Sequence, residues 1–446
     1  MTEGKYLELL DGLDLGELSG RIFDIDTDDY AARVAKHRGA AIPDASVEPG
    51  DQLLLLFTSG TSGAPKAVIC TQGKLLLVGL NMVGITGLHS DSVSYQVMPM
   101  FHSNGLFTGL SPILIAGGAM ALRRKFSASG FLPDVRRFGA TYFNYVGKPL
   151  SYILATPELP DDGDNTLEYV FGNEGADLDL DRFSKRFQVP VKDGYGSTET
   201  GASIGRVDDM PKGSLGVAPE GVVVMDPETG KECARAEFDE NGRLQNPEEA
   251  IGEIVNTQGP ALFEGYYKND EANAVRMRDG MFWTGDLAYR DAKGFFYFAG
   301  RDFEWLRVDG ENFSAAPVER ILSRYEGVVL AAVYAVPDAE VGDQVMAALQ
   351  FVDPSEFDAM SFERFLTEQA DLGTKAAPRY VRVTAELPIT QTSKVIKRTL
   401  RAERWECDET VFFRPKKGDP YRVMTPDDVN AVRAEFEARD RTQMLI

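Results

Sequence analysis

Between residues 51 and about 200 the chain alternates short apolar runs with stretches of helical texture, and this constrains its fold more than any other feature. Residues 53–57, 67–70, 94–98, 141–145, 167–171 and 189–193 read as strands. Residues 74–84, 127–138 and 178–187 read as helices between them. Such alternation predicts an α/β layer structure on a mostly parallel sheet. From about 213 to 300 glycines and short β-rich runs take over, at 221–225, 252–257 and 294–299, and predict a small β-barrel subdomain. Strands at 331–336 and 346–351 with helices at 317–325 and 362–369 then predict a smaller α+β domain. The boundary falls just after Arg301: residues 1–300 form a large N-terminal α/β domain and 301–446 a C-terminal one. Thr425-Pro426-Asp427-Asp428 carries the marks of a helix start, with a hydroxyl cap, proline in the first turn and acids at the positive end of the helix dipole.

The net charge of −22 argues against DNA or RNA as a partner, since nucleic-acid binders present basic patches. Cys70, Cys233 and Cys407 lie far apart, and the histidines are His37, His89 and His102. Neither set has zinc-site spacing or makes a disulfide framework, so a reducing cytoplasm is expected. The first residues lack a basic-then-apolar signal pattern, and no apolar run is long enough to span a bilayer.

Four motifs carry the chemistry. TSGTSGAPKAV, from Thr58 to Val68, follows a strand and packs glycines, four hydroxyl side chains and one lysine together. Glycines let backbone N–H groups approach a phosphate, and the hydroxyls and Lys66 add donors and charge. The order of a Walker loop is absent, so this is a different polyphosphate loop. DGYGSTETG, from Asp193 to Gly201, offers Tyr195 as a flat ring for a purine, Thr198 as a phosphate donor and Glu199 as a carboxylate for Mg²⁺, which favours carboxylate and phosphate oxygens. In WTGDLAYRD, Asp286 suits paired sugar hydroxyls or a turn, and Arg301 in the GRDFEWLRVDGENF segment suits the same sugar or the phosphates. In LPITQTSKVIKR, Lys394 lies in a polar loop, where most lysines are simply solvated.

With these motifs in this order, the sequence resembles the adenylate-forming superfamily of acyl-CoA synthetases, luciferases and peptide-synthetase adenylation domains, over residues 50–400. The resemblance implies a large N-terminal domain and a small mobile C-terminal one. It implies that Thr58, Ser59, Gly60, Thr61, Ser62, Gly63 and Lys66 hold the β- and γ-phosphates of ATP. Tyr195, with Asp193 and Gly194, would meet adenine on one side and Asn173, Glu174 and Gly175 on the other. Thr198 would contact the α-phosphate, Glu199 would bind Mg²⁺, and Asp286 and Arg301 would hold the ribose. Lys394 would be the adenylation lysine, and His102 in PMFHSNG would stand beside the acyl pocket, though by itself it reads equally as a capped core histidine. In the second half-reaction the small domain would turn and bring Gly310, Glu311 and Asn312 to the pantetheine of coenzyme A. The GNEGA stretch and the tail after Lys394 look like the very-long-chain and steroid acyl-CoA ligase branch. An acid–CoA ligase acting on a long-chain fatty or steroid side-chain acid is therefore expected. A stand-alone adenylation enzyme and a degenerate acyl- or nucleotide-binding protein are the alternatives.

The sequence departs from the family pattern in places. The phosphate loop comes early, which reads as a shortened N-terminus that a homodimer or partner chain would cover, with peripheral membrane contact also open. Ala67, Ser393 and Phe303 replace residues usual at those positions, yet the charged groups are intact.

Overall fold

Both faces of a parallel sheet must be covered, and the apolar runs between residues 90 and 200 meet that demand. A computed structural model describes residues 1–58, 65–300, 305–308, 311–340, 343–373, 375–390, 395–416 and 418–445. Two units divide the chain, Met1–Glu48 and Pro49–Ile446. The first holds two 3₁₀ segments, Gly4–Leu10 and Gly16–Arg21, and helix α1 (Asp28–Ala35), whose N-terminus is closed by the Thr27 side chain.

The second unit opens with β1 (Gln52–Thr58) and β2 (Lys66–Thr71). The alternation pattern would place these two strands in a parallel layer. They instead pair antiparallel with each other, Thr58 opposite Lys66, in a two-stranded sheet of their own. The chain between them is too short for the crossover of about a dozen residues that a parallel pair needs. Helix α2 (Gln72–Thr86) follows at once. The Thr71 hydroxyl caps it by accepting the Lys74 backbone N–H at 3.1 Å, and Gly87 ends it with φ 72°, where a side chain would be strained.

Strands β3 (Val93–Gln96), β4 (Ala119–Leu122), β5 (Tyr142–Val146), β6 (Tyr169–Asn173), β7 (Val191–Gly196) and β8 (Ser203–Gly205) form a six-stranded sheet in the order β4-β3-β5-β6-β7-β8. All pairs are parallel except β7 with the edge strand β8. Helices α3 (Ser111–Ala116), α4 (Phe131–Phe138), α5 (Pro149–Leu154) and α6 (Asp177–Phe187) make connections between the strands. Tyr95, Phe131, Phe143, Phe183 and Phe187 are buried together, with Phe183 and Phe187 ring centroids 4.5 Å apart. Each such ring contributes roughly 1.5–3 kcal/mol by leaving water. Elsewhere on the sheet a π-helix, Asn104–Leu110, runs straight into α3. It is held by Tyr142, whose hydroxyl donates to the Thr108 carbonyl at 2.8 Å, and by Gln96, whose amide donates to the Gly105 carbonyl at 2.8 Å. β4, α3 and the π-helix carry no sequence signal strong enough to predict them.

The glycine-rich region folds as expected into β structure. Strands β9 (Val222–Met225), β10 (Gly252–Asn256), β11 (Met277–Arg278), β12 (Met281–Arg290) and β13 (Phe296–Gly300) form an antiparallel five-stranded sheet, with helices α7 (Pro247–Ala250) and α8 (Asp270–Arg276) between them. A hairpin follows, β14 (Trp305–Val308) and β15 (Glu311–Ser314). Helix α9 (Ala315–Leu322) leads into a second five-stranded sheet of β16 (Val328–Pro337), β17 (Asp343–Phe351), β18 (Tyr380–Thr384), β19 (Thr410–Phe413) and β20 (Arg422–Val423). Helices α10 (Ala359–Glu368), α11 (Lys397–Glu403) and α12 (Pro426–Ala438) complete it. Thr425 caps α12 as the sequence predicts, and Asp428 completes a capping box with it.

Candidate active site

In sheets of this kind ligands bind beyond the carboxyl ends of the strands, where loops converge and helix N-termini point outward. The GNEG segment closes β6 and the DGYG segment closes β7, so two of the motifs leave the sheet side by side. They are locked together by side chains. Asn173 Nδ2 donates to the Gly194 carbonyl at 2.6 Å, and Asn173 Oδ1 accepts from Asn104 Nδ2 at 3.2 Å. Asp193 is buried and accepts the Gly175 N–H at 2.9 Å and the Tyr145 hydroxyl at 2.7 Å. Burial pushes its carboxyl up to about 6, against the pull of those two donors. Glu174 sits between with φ 63°. A Cβ at Gly175 would stand 2.6 Å from the Tyr145 hydroxyl, so only glycine fits there.

The turn after β7 carries the phosphate and metal candidates. Thr198 is nearly buried, and its hydroxyl lies 2.8 Å from Ser103 Oγ, which joins this turn to the PMFHSNG segment. His102 is half-buried in that segment, and its Nδ1 accepts the Asn104 N–H at 3.2 Å. Glu199 Oε1 accepts the Tyr266 hydroxyl at 2.8 Å, and Tyr266 in turn accepts Arg276 Nε at 3.2 Å. Burial pushes the Tyr266 phenol up to about 12, so it donates throughout the physiological range. The Glu199 carbonyl accepts from Thr200 Oγ1 at 2.6 Å and from Lys74 Nζ at 3.3 Å. Burial holds Lys74 below the usual lysine range. Thr200 has φ 57°, a left-handed conformation that costs a β-branched residue about 1–3 kcal/mol and needs such support.

Strands β1 and β2 flank the segment expected to hold phosphate. Thr58 Oγ1 lies 3.5 Å from the Lys66 carbonyl, and Lys66 Nζ lies 5.5 Å from the Tyr266 ring centroid. Ser59, Gly60, Thr61, Ser62 and Gly63 fall outside the described residues, as do Arg301, Gly310 and Lys394. Glu311 and Asn312 open β15, opposite Val308 and Arg307 across the hairpin. Asp286 on β12 is buried, and its Oδ2 accepts the Tyr195 hydroxyl at 2.7 Å. That bond ties the ring expected beside adenine to the carboxylate expected on the ribose. The WTGD turn is shaped by Glu253, which accepts the Gly285 N–H and pairs with Arg278 Nη2 at 2.9 Å.

The structure therefore brings Asn173, Gly175, Asp193, Gly194 and Tyr195 together with Asp286, and Thr198 together with Ser103. It also adds residues that sequence reasoning missed: Ser103, Asn104, Tyr145, Tyr266, Arg276 and Lys74. Ser103 and Asn104 lie beside His102 in PMFHSNG and were within reach of a motif-based search; Tyr145, Tyr266, Arg276 and Lys74 carry no local signal. Among the described residues no group of three or more metal-ligating side chains forms. A lone carboxylate such as Glu199 nevertheless fits Mg²⁺, which binds through one or two carboxylates plus phosphate oxygens and keeps its waters.

This fold and this constellation point to an enzyme that handles a nucleotide. The chain belongs to the family of AMP-binding enzymes: its family model matches residues 11–267, and the AMP-binding enzyme C-terminal domain matches residues 317–394. A steroid-22-oyl-CoA synthetase of Rhodococcus jostii is 49% identical over 439 residues, covering 98% of this chain and 79% of that protein. A medium/long-chain-fatty-acid–CoA ligase of Mycobacterium tuberculosis is 52% identical over 388 residues, covering 87% of this chain and 75% of that one. Among solved structures, ATP-bound MatB from Rhodopseudomonas palustris superposes with a TM-score of 0.70 at 28% identity, over 84% of this chain and 72% of that one.

Proposed function

We propose that this protein is an ATP-dependent acid–CoA ligase. It joins a carboxylic acid to AMP with release of pyrophosphate, then passes the acyl group to coenzyme A with release of AMP. The observation that carries the reading is the convergence of four distant segments on one turn, through Asn173–Gly194, Tyr195–Asp286, Ser103–Thr198 and Tyr266–Glu199. Binding and orientation fall to Thr58 through Lys66 for the β- and γ-phosphates, to Tyr195, Glu174 and Gly175 for the base, and to Asp286 and Arg301 for the ribose. Mg²⁺ held by Glu199 would neutralise phosphate charge. Lys394 places a positive charge where negative charge builds during adenylation, and Gly310, Glu311 and Asn312 serve the thiol step.

The acid is a long fatty chain or a steroid side-chain carboxylate. Relatives named for both stand near 50% identity, and the segment that adjoins His102 is apolar, with Leu106 and Phe107 buried. The boundary between the two domains lies just after Arg301. No described helix is long and apolar enough to cross a membrane, and the cysteines are unpaired, which supports a cytoplasmic setting. Exposed Leu76, Leu77 and Leu80 on α2 support contact with a second chain, as in a homodimer, or with a lipid surface.

Purified protein with ATP, Mg²⁺ and a panel of fatty and steroid acids releases pyrophosphate with one class, and adding CoA gives the thioester by mass spectrometry. Lys394→Ala lowers acid-dependent pyrophosphate release by about 10²–10³, the effect of removing one transition-state donor. Full activity in that variant, or silence across the panel from folded wild type, refutes the assignment.

A further inference from the structure

Lys74 opens the helix that the sequence predicts over 74–84. It is 2% exposed, in the first turn of α2. Among the described residues its ammonium makes no ion pair. Nζ donates to the Glu199 carbonyl at 3.3 Å and lies 5.9 Å from the Phe107 ring centroid. The nearby Glu264 and Glu199 carboxylates favour the charge, but burial outweighs them, and an apolar side chain of similar length would pack there more cheaply. Retaining the charge therefore calls for a task that a methionine could not perform.

The position names the task. The Thr198–Glu199–Thr200 turn is strained at Thr200, and Lys74 holds it by the Glu199 carbonyl oxygen. The Glu199 carboxylate is fixed separately by Tyr266, so the backbone clamp and the side-chain clamp grip the same residue from two elements. α2 also follows directly from β2, the strand that begins at Lys66. Its cap, Thr71, is itself anchored: the hydroxyl donates to Glu264 Oε1 at 2.5 Å, and the backbone N–H donates to Glu264 Oε2 at 3.1 Å. One rigid segment thus joins the end of the phosphate loop to the metal-binding turn.

We propose that Lys74 is a positioning residue for magnesium–ATP: through the Glu199 carbonyl it aims that residue's carboxylate and ties the turn to the phosphate-loop hairpin. The proposal rests on the ligase reading for what binds there. Its consequence is selective, because neither the acid nor CoA is expected to contact this clamp.

The test compares wild type with Lys74→Met and Lys74→Arg. Calorimetry with ATP and Mg²⁺, without acid, gives the binding constant independently of turnover, and pyrophosphate release gives KM for each substrate. Lys74→Met is expected to weaken magnesium–ATP affinity and raise its KM about tenfold, the size of one charge-assisted hydrogen bond. The KM for the acid stays within twofold, the unfolding midpoint is unchanged or higher, and Lys74→Arg restores most of the affinity. Wild-type magnesium–ATP affinity in folded Lys74→Met overturns the proposal. So does an equal loss for ATP, acid and CoA that Lys74→Arg fails to relieve. If wild type binds magnesium–ATP yet releases no pyrophosphate with any acid, the ligase reading fails while the calorimetric comparison still decides the role of Lys74.

Discussion

Replacing Tyr266 with phenylalanine removes the hydroxyl that donates to Glu199, the residue proposed to hold the metal, and that accepts from Arg276 Nε. The hydroxyl donates to Glu199 Oε1 at 2.8 Å, and the residue is 2% exposed, so water cannot substitute freely. A bond to a charged group contributes about 1.5–3 kcal/mol. At about 1.4 kcal/mol per factor of ten, kcat/KM for magnesium–ATP should fall ~10- to 100-fold. The ring contacts survive, with Phe263 at 5.2 Å between centroids and Lys66 at 5.5 Å. Arg276 keeps its donation to the Trp283 carbonyl at 3.3 Å. Arg276 Nε loses its acceptor, so the unfolding free energy should fall by no more than about 1–3 kcal/mol. Initial rates of pyrophosphate release across magnesium–ATP concentrations, with denaturant unfolding in parallel, give both quantities. Because the phenol titrates only near 12, the ratio of variant to wild type should stay flat from about pH 6 to 9. A Tyr266→Phe protein that is folded and keeps kcat/KM for magnesium–ATP within twofold would refute the placement of Glu199 at the metal.

Two further outcomes are expected. The Asp193 carboxyl titrates near 6 in the folded chain and near 4 in the unfolded one, so as pH rises through that window the unfolded state loses its proton first and stability falls, by ~3 kcal/mol for the full shift. Asp193→Asn keeps an oxygen for Tyr145 and Gly175 while removing the titration, so its unfolding free energy should depend less on pH between about 4 and 6 than that of wild type; parallel slopes would exclude this origin. Gly175→Ala forces a methyl against Tyr145 and Asp193, and should cost ~1–3 kcal/mol in denaturant unfolding and weaken ATP binding measured by calorimetry.

How much of this was legible in the sequence differs from element to element. The runs that became β5 and β6 were visible because a strand covered on both faces must be apolar almost throughout, and the cap at Thr425 was visible because its chemistry is local. The pairing of β1 with β2 was not, since the apolar run 53–57 is equally suited to a parallel neighbour and only the short connection decides. The motif residues Asn173, Asp193, Tyr195 and Asp286 were legible by resemblance, but their bonding to one another was not. Tyr195 meets Asp286 across 91 positions, and Glu199 meets Tyr266 across 67, spacings that no periodicity encodes. Lys74 was hidden for a different reason: polar side chains are presumed solvated, and burial of a charge appears only once the chain is packed.

The π-helix ahead of α3 also bears on how this chain tolerates insertion and deletion. Each residue turns a helix by about 100° and advances it by ~1.5 Å. Because the wide turns of Asn104–Leu110 pass without a break into Ser111–Ala116, they set which side of α3 faces the sheet, with Ile113 buried and Leu114 exposed. Deleting one residue from the wide segment would let it tighten to the ordinary helical pitch, and the shortened segment would turn about as far as the wide one did, leaving Ile113 against the sheet. In this stretch a single-codon deletion is therefore absorbed, whereas the same deletion inside α3 would turn the residues beyond it by about 100°.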